Sequence, residues 1–162
     1  MADDETRLDL LDRILGRNLQ WVAAADSKVA PILALDTGML GVIAALFPKP
    51  SAWSAVQVAA TAIAAALLLT SMIAVASAVF PRLEGPKGSR VFFGGIAQAD
   101  PDAYVASMLA GITPELLQDF AKQCHRNAEI AETKFRYIRW AMILLFCSIV
   151  PWLITVAVLY NS

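Results

Sequence analysis

Three stretches of the chain are strongly apolar and carry almost no charged side chain. The first, 29–47, is broken by a single charge, Asp36, whereas 56–80 and 140–160 carry no charge at all. Runs of 19, 25 and 21 residues match the roughly 20 that a helix needs to cross the hydrocarbon of a bilayer. They lack the alternation of barrel strands, and backbone in lipid is satisfied only in a helix or a closed barrel. The pattern predicts an all-α integral membrane protein with three transmembrane helices.

The polar parts of the chain carry helical signals too. Across 1–28, Leu8, Leu11, Leu15, Leu19 and Val22 recur at steps of three and four, opposite Asp9, Asp12, Arg13, Arg17 and Gln20. That spacing predicts an amphipathic N-terminal helix, whose acidic start favours packing on other helices over adhesion to anionic lipid. Between 81 and 99, Pro81, Gly85, Pro86, Gly88, Gly94 and Gly95 predict a loop with one short extended stretch over 90–93. Asp100-Pro101 opens a short helix that stops at Gly111, and Thr113-Pro114 opens another. No breaker follows before Pro151, so this last helix should run unbroken into the third apolar run. Its expected buried face is Leu117, Phe120, Cys124, Ala128, Ala131, Phe135 and Ile138.

Composition agrees with the membrane reading: 58% of residues are hydrophobic and 17% charged, against averages of roughly 45–50% and about 25%. Mean hydropathy is +0.59, too much apolar surface for so small a chain to hide from water. The net charge of -1 excludes a polybasic arm, so no nucleic-acid partner is expected. Twelve of the thirteen basic residues flank the runs in 1–28 and 81–139, and only Lys49 falls in 48–55. By the positive-inside rule the N-terminus and 81–139 face the cytoplasm, while the 48–55 turn and 161–162 face outside. An acidic start without a basic n-region disfavours a cleaved signal peptide.

Candidate chemistry is sparse. Cys124 and Cys147 have no paired spacing and His125 is the only histidine, so neither a disulfide framework, a metal site nor a catalytic residue is expected. Cys124 and His125 point about 100° apart on a helix and do not form a dyad. The most ligand-like stretch is 84–95, where glycines expose backbone N–H groups, Lys87 and Arg90 supply positive charge, and Phe92 or Phe93 offers a ring to a base. The same residues equally suit a membrane-proximal loop whose phenylalanines plug a bundle. Asn127 lies beside the apolar seam, and Asp26 and Lys28 sit at the membrane boundary. Asp36 lies within the hydrocarbon, where a carboxylate is costly and needs a partner. Its candidate partners are Lys28, Arg139, Thr70, Ser71 and Ser77, and its role is either a gate or a structural contact.

Several motifs occur together in order: Asn18-Leu19-Gln20-Trp21, Ala25-Asp26-Ser27-Lys28, the membrane run after them, Phe92-Phe93-Gly94-Gly95-Ile96-Ala97, and Asn127 through Lys134-Phe135. With them the chain resembles the Pycsar transmembrane effector family. The resemblance spans roughly residues 18–140, with Gly95 standing where the family usually has an acidic or polar residue. It implies a bacterial inner-membrane protein of antiphage defence, without catalytic activity of its own and without a cofactor. Its ligand would be cyclic CMP or cyclic UMP made by a partner pyrimidine cyclase, and its effect a loss of membrane integrity that sacrifices the infected cell. The implied nucleotide site gathers Lys87, Arg90, Phe92, Phe93, Gly94, Asn127 and Lys134, with Asp36 as the membrane gate. Three helices alone do not enclose a pore, so a homo-oligomer in contact with membrane lipid is expected. A channel or transporter subunit that no nucleotide gates, and a membrane scaffold for a protein partner, are the alternatives.

Overall fold

A computed structural model of the chain describes residues 2–46, 54–80, 85–86 and 88–160. Among these, 88% are helical and none lies in a strand. The order is α1 (Ala2–Asp26), α2 (Val29–Ala45), α3 (Ala55–Val79), α4 (Phe93–Gln98), α5 (Pro101–Leu109) and α6 (Pro114–Tyr160). Three helical stretches, ending at Ala45, Val79 and Tyr160, are long and apolar enough to cross a membrane. The third is the C-terminal part of the 47-residue α6. Most of the expected 48–55 turn, and residues 161–162, lie outside the described residues. The chain divides into two units, Met1–Ala24 with Pro81–Thr133, and Ala25–Phe80 with Lys134–Ser162.

The second unit packs α2, α3 and the later part of α6. Helix α3 starts on a capping box, in which the Gln57 N–H donates to Ser54 Oγ at 3.2 Å and the Ser54 N–H to Gln57 Oε1 at 2.8 Å. Its buried residues, Gln57, Ala60, Thr61, Ala64, Leu68, Ser71, Val75 and Ala78, form one face. Small side chains on that face let the backbones approach, the usual basis of helix association in lipid. Ile32 and Ile43 of α2 and Ile138, Ala141 and Leu145 of α6 complete the core. The indole N–H of Trp152 ties α6 to α2 by donating to the Met39 carbonyl at 2.9 Å. Around this core Ile63, Leu69, Ile73, Phe146, Val150 and Leu153 are all exposed. An apolar exterior of that kind is suited to hydrocarbon and not to water.

In the first unit α1 turns Leu8, Leu11, Leu15, Asn18 and Val22 partly inward. Leu19, expected on that face, is instead 51% exposed. Asn18 occupies the register position three residues after Leu15, and its amide donates to the Cys124 carbonyl of α6 at 2.8 Å. The expected caps are in place. Asp100 accepts from the Ala103 N–H at 2.9 Å with Pro101 opening α5, and Thr113 accepts from the Leu116 N–H at 3.3 Å. Gly111 ends α5 at φ +84°, a conformation that glycine adopts without penalty.

Two expectations need correction. No extended stretch occupies 90–93; residues 90–92 bend and lead into α4. The expected seam of α6 is also displaced, because Ala128 is exposed while Leu116 and Gln123 are buried. Residues 124, 131, 138 and 145 are buried at intervals of seven, a narrower stripe than the seam read from apolar residues alone.

Candidate functional site

The loop before α4 is organised by one hydroxyl. Ser89, 5% exposed, donates to Asp119 Oδ2 of α6 at 3.0 Å and accepts from the backbone N–H groups of Val91 and Phe92 at 3.2 and 2.9 Å. The Gln123 amide also donates to it, at 3.3 Å. Asp119 Oδ2 further accepts the Arg90 N–H at 2.7 Å. These bonds satisfy loop N–H groups that no ladder or helix satisfies, and they fix the start of α4. Gly88, at φ +70°, supplies the turn that brings the Ser89 N–H to the Pro86 carbonyl at 3.3 Å.

The glycines of α4 follow from this arrangement. A Cβ on Gly95 would lie 2.3 Å from the Ser89 carbonyl oxygen, and one on Gly94 2.6 Å from the Phe92 ring. The Phe92 ring also closes on Gly85, where a Cβ would meet it at 2.3 Å. Phe92 is thus a packing ring enclosed by glycines. Phe93, tilted against it at a centroid distance of 4.5 Å, is 63% exposed and free to meet a flat ligand.

Of the seven residues of the expected nucleotide site six are described, and five of these belong to the first unit. Lys87 lies outside the described residues. Phe92, Phe93 and Gly94 are adjacent at the start of α4. Arg90 turns toward α5, donating to the Ser107 carbonyl at 3.4 Å while its own carbonyl accepts from the Tyr104 hydroxyl at 3.4 Å. Asn127 donates to the Gln123 carbonyl one turn earlier at 3.0 Å. Lys134 belongs to the second unit and pairs with Asp26 at 2.5 Å, with its side chain 12% exposed.

Sequence reading missed Ser89, Asp119 and Gln123. A signal for two of them existed: Asp119, Gln123 and Asn127 follow at intervals of four beside the apolar seam, one polar line on α6. Two clefts flank the loop, each of about 400 Å³. Gly85 and Pro86 face Lys122, His125, Arg126 and Glu129 across one, and Arg90, Gln98, Tyr104 and Ser107 contribute to the other. Glu129 accepts from Arg126 at 3.2 Å and lies 3.7 Å from His125. Cys124, beside His125 in sequence, is buried with its thiol on the Leu11 carbonyl at 3.3 Å, and burial pushes that thiol above its usual pKa. Glu115, at the start of α6, is held below the usual value of 4.5 chiefly by a backbone hydrogen bond there, then by the Thr113 hydroxyl, with a smaller contribution from the charge of Arg90.

Within the spanning helices Asp36 is completely buried. Of its candidate partners it takes Ser71, whose hydroxyl lies 2.8 Å from Asp36 Oδ2 and 3.1 Å from the Ala141 carbonyl. Three helices therefore meet at this hydroxyl. Thr70 and Ser77 instead donate to carbonyls of their own helix, at Ala66 and Ile73. Asp36 Oδ1 has no hydrogen-bond partner among the described residues.

Comparison with known families accounts for nearly the whole chain. No curated protein and no solved structure matches it, but the model of the Pycsar effector protein domain matches residues 10–161. That match takes in α2 to α6 and most of α1. The chain belongs to the Pycsar effector family and is a multi-pass membrane protein of antiphage defence.

Proposed function

We propose that the protein senses cyclic CMP or cyclic UMP, supplied by a partner cyclase, and responds by impairing the inner membrane of an infected bacterium. It acts as a homo-oligomer and without catalysis of its own. The observation that supports this most is α6 itself, a single helix from Pro114 to Tyr160. Its first half contributes Asp119 and Gln123 to the loop network and Lys122, His125 and Arg126 to a cleft. Its second half contributes Ile138, Ala141 and Leu145 to the apolar core. A ligand that prefers one position of α6 would shift the population of both halves, by no more than its differential affinity for the two states.

The distribution of Lys and Arg supports a cytoplasmic location for the sensing segments, where a cyclase product is available. Phe93 is the ring exposed for stacking on a pyrimidine. Asp36 is the group wetted when the bundle opens. Dye release from proteoliposomes tests the reading. Release that rises with cyclic CMP or cyclic UMP and saturates supports it, and intact vesicles at saturating nucleotide overturn it. Release that is independent of nucleotide returns the chain to the ungated-channel alternative. Asp36→Leu should weaken nucleotide-dependent release, and unchanged release would confine Asp36 to a structural role.

A further inference from the structure

The geometry points to the cleft between Gly85–Pro86 and α6 as the site that holds the phosphodiester of the ligand, with Lys122 and Arg126 as its anion-binding residues. This rests on the nucleotide-sensing reading above and assigns it a place distinct from the Arg90 side of the loop.

The two clefts differ in the number of cations they present, two against one. Lys122 and Arg126 bring two positive charges and Glu129 one negative, so with His125 neutral the first cleft is formally +1. A 3′,5′-cyclic nucleotide carries one negative charge at neutral pH, and binding there balances it. Glu129 pairs with Arg126 at 3.2 Å and lies 3.7 Å from His125, and Lys122 lies three and four residues before His125 and Arg126. Residues three and four apart share a helix face, so Lys122, His125 and Arg126 line the cleft together. On the other side of the loop, Arg90 is the only charged residue lining the cleft among the described residues. There its backbone N–H already engages the Asp119 carboxylate at 2.7 Å and its guanidinium the Ser107 carbonyl.

The loop wall suits a small ligand. Gly85 presents backbone where any side chain would collide with the Phe92 ring, and about 400 Å³ is within the range of small-molecule sites. The chemistry recognised is a phosphodiester monoanion, which a lipid headgroup also offers. Here the ligand is assigned to the nucleotide, and the headgroup becomes a control.

The test is calorimetric titration of the full chain in detergent with cyclic CMP and cyclic UMP, using wild type, Lys122→Ala, Arg126→Ala and Arg90→Ala. Each lost charge-assisted phosphate contact should weaken binding about tenfold or more, while Arg90→Ala should stay within about threefold. Lys122 is exposed and Arg126 half-buried, and ligand-free melting temperatures close to wild type will show that the variants fold. Wild-type affinity in both α6 variants, with loss in Arg90→Ala, overturns the assignment but leaves nucleotide sensing standing. No binding by wild type overturns sensing and this site together. Glycerophosphoglycerol that binds as tightly as the nucleotide and displaces it overturns the nucleotide as occupant.

Discussion

The junction of Asp36, Ser71 and Ala141 makes a quantitative prediction. Ser71→Ala removes the hydroxyl that lies 2.8 Å from the Asp36 carboxyl and 3.1 Å from the Ala141 carbonyl. The carbonyl keeps the bond of its own helix, so the loss falls on Asp36, which is fully buried and whose other oxygen already lacks a partner. Orphaning a buried polar group costs about 1–3 kcal/mol, whereas hydrogen bonds between membrane helices average about 0.6 and reach about 1.7 kcal/mol in double-mutant cycles. A single bond to a carboxyl with no second partner belongs in the upper part of the membrane range. We expect Ser71→Ala to destabilise the detergent-solubilised protein by about 1–2 kcal/mol, and by about 1 kcal/mol less when Asp36 is already Ala. The measurement is equilibrium unfolding in mixed micelles of Ser71→Ala, Asp36→Ala and the double variant. Additivity within about 0.3–0.5 kcal/mol, the scatter of independent sites, would refute the claim that this hydroxyl holds the three helices through Asp36.

Other positions give further tests. Gly95→Ala gains helix propensity of about 1 kcal/mol but drives a methyl to 2.3 Å from the Ser89 carbonyl oxygen. Overpacking typically costs about 1–3 kcal/mol, and backbone cannot swing aside, so the melting temperature should fall; a rise would mean that the loop yields. At the membrane boundary, Asp26→Ala should cost more than Lys134→Met, about 1–3 against under about 1 kcal/mol, because it strands a lysine that is 12% exposed whereas the reverse leaves a carboxylate 47% exposed. Equal losses by chemical unfolding would contradict that asymmetry. Glu115 has its folded pKa below 4.5, so its stabilisation is present above pH 4.5 and fades as pH falls through the lower folded value. The melting temperature of Glu115→Gln should therefore lie below wild type at pH 7 and converge with it in acid, and a gap that persists in acid would exclude this origin.

What the sequence discloses here depends on how far each signal travels along the chain. The apolar runs, the Asp100 and Thr113 caps and the Gly111 stop are local signals; α2 and α3 start within a residue of the first two runs, and the caps and the stop stand where expected. Helix α4 was not legible, because two adjacent glycines argue against a helix unless a neighbour excludes side chains, and that neighbour is the Ser89 turn braced by Asp119, 30 residues away. In the spanning segments the difficulty is reversed. When every face of α3 is apolar, periodicity no longer marks the packed one, so Ser71 could not be told from Thr70 or Ser77 as the partner of Asp36. Asn18 and Lys134 were singled out by motif, yet their contacts reach across 106 and 108 residues, beyond any spacing rule.

Pro151 sits inside α6, and a proline there withdraws the N–H that the carbonyl four residues earlier, at Cys147, would otherwise receive. The Thr155 hydroxyl donates to the Pro151 carbonyl at 2.8 Å, stitching the next turn to the proline without replacing the missing bond. The last ten residues of α6 therefore form a cuff joined to the shaft by one bond fewer than a regular helix has. With that bond gone the helix resists bending less at the proline, and a change of tilt in the cuff meets less opposition there than in a regular helix.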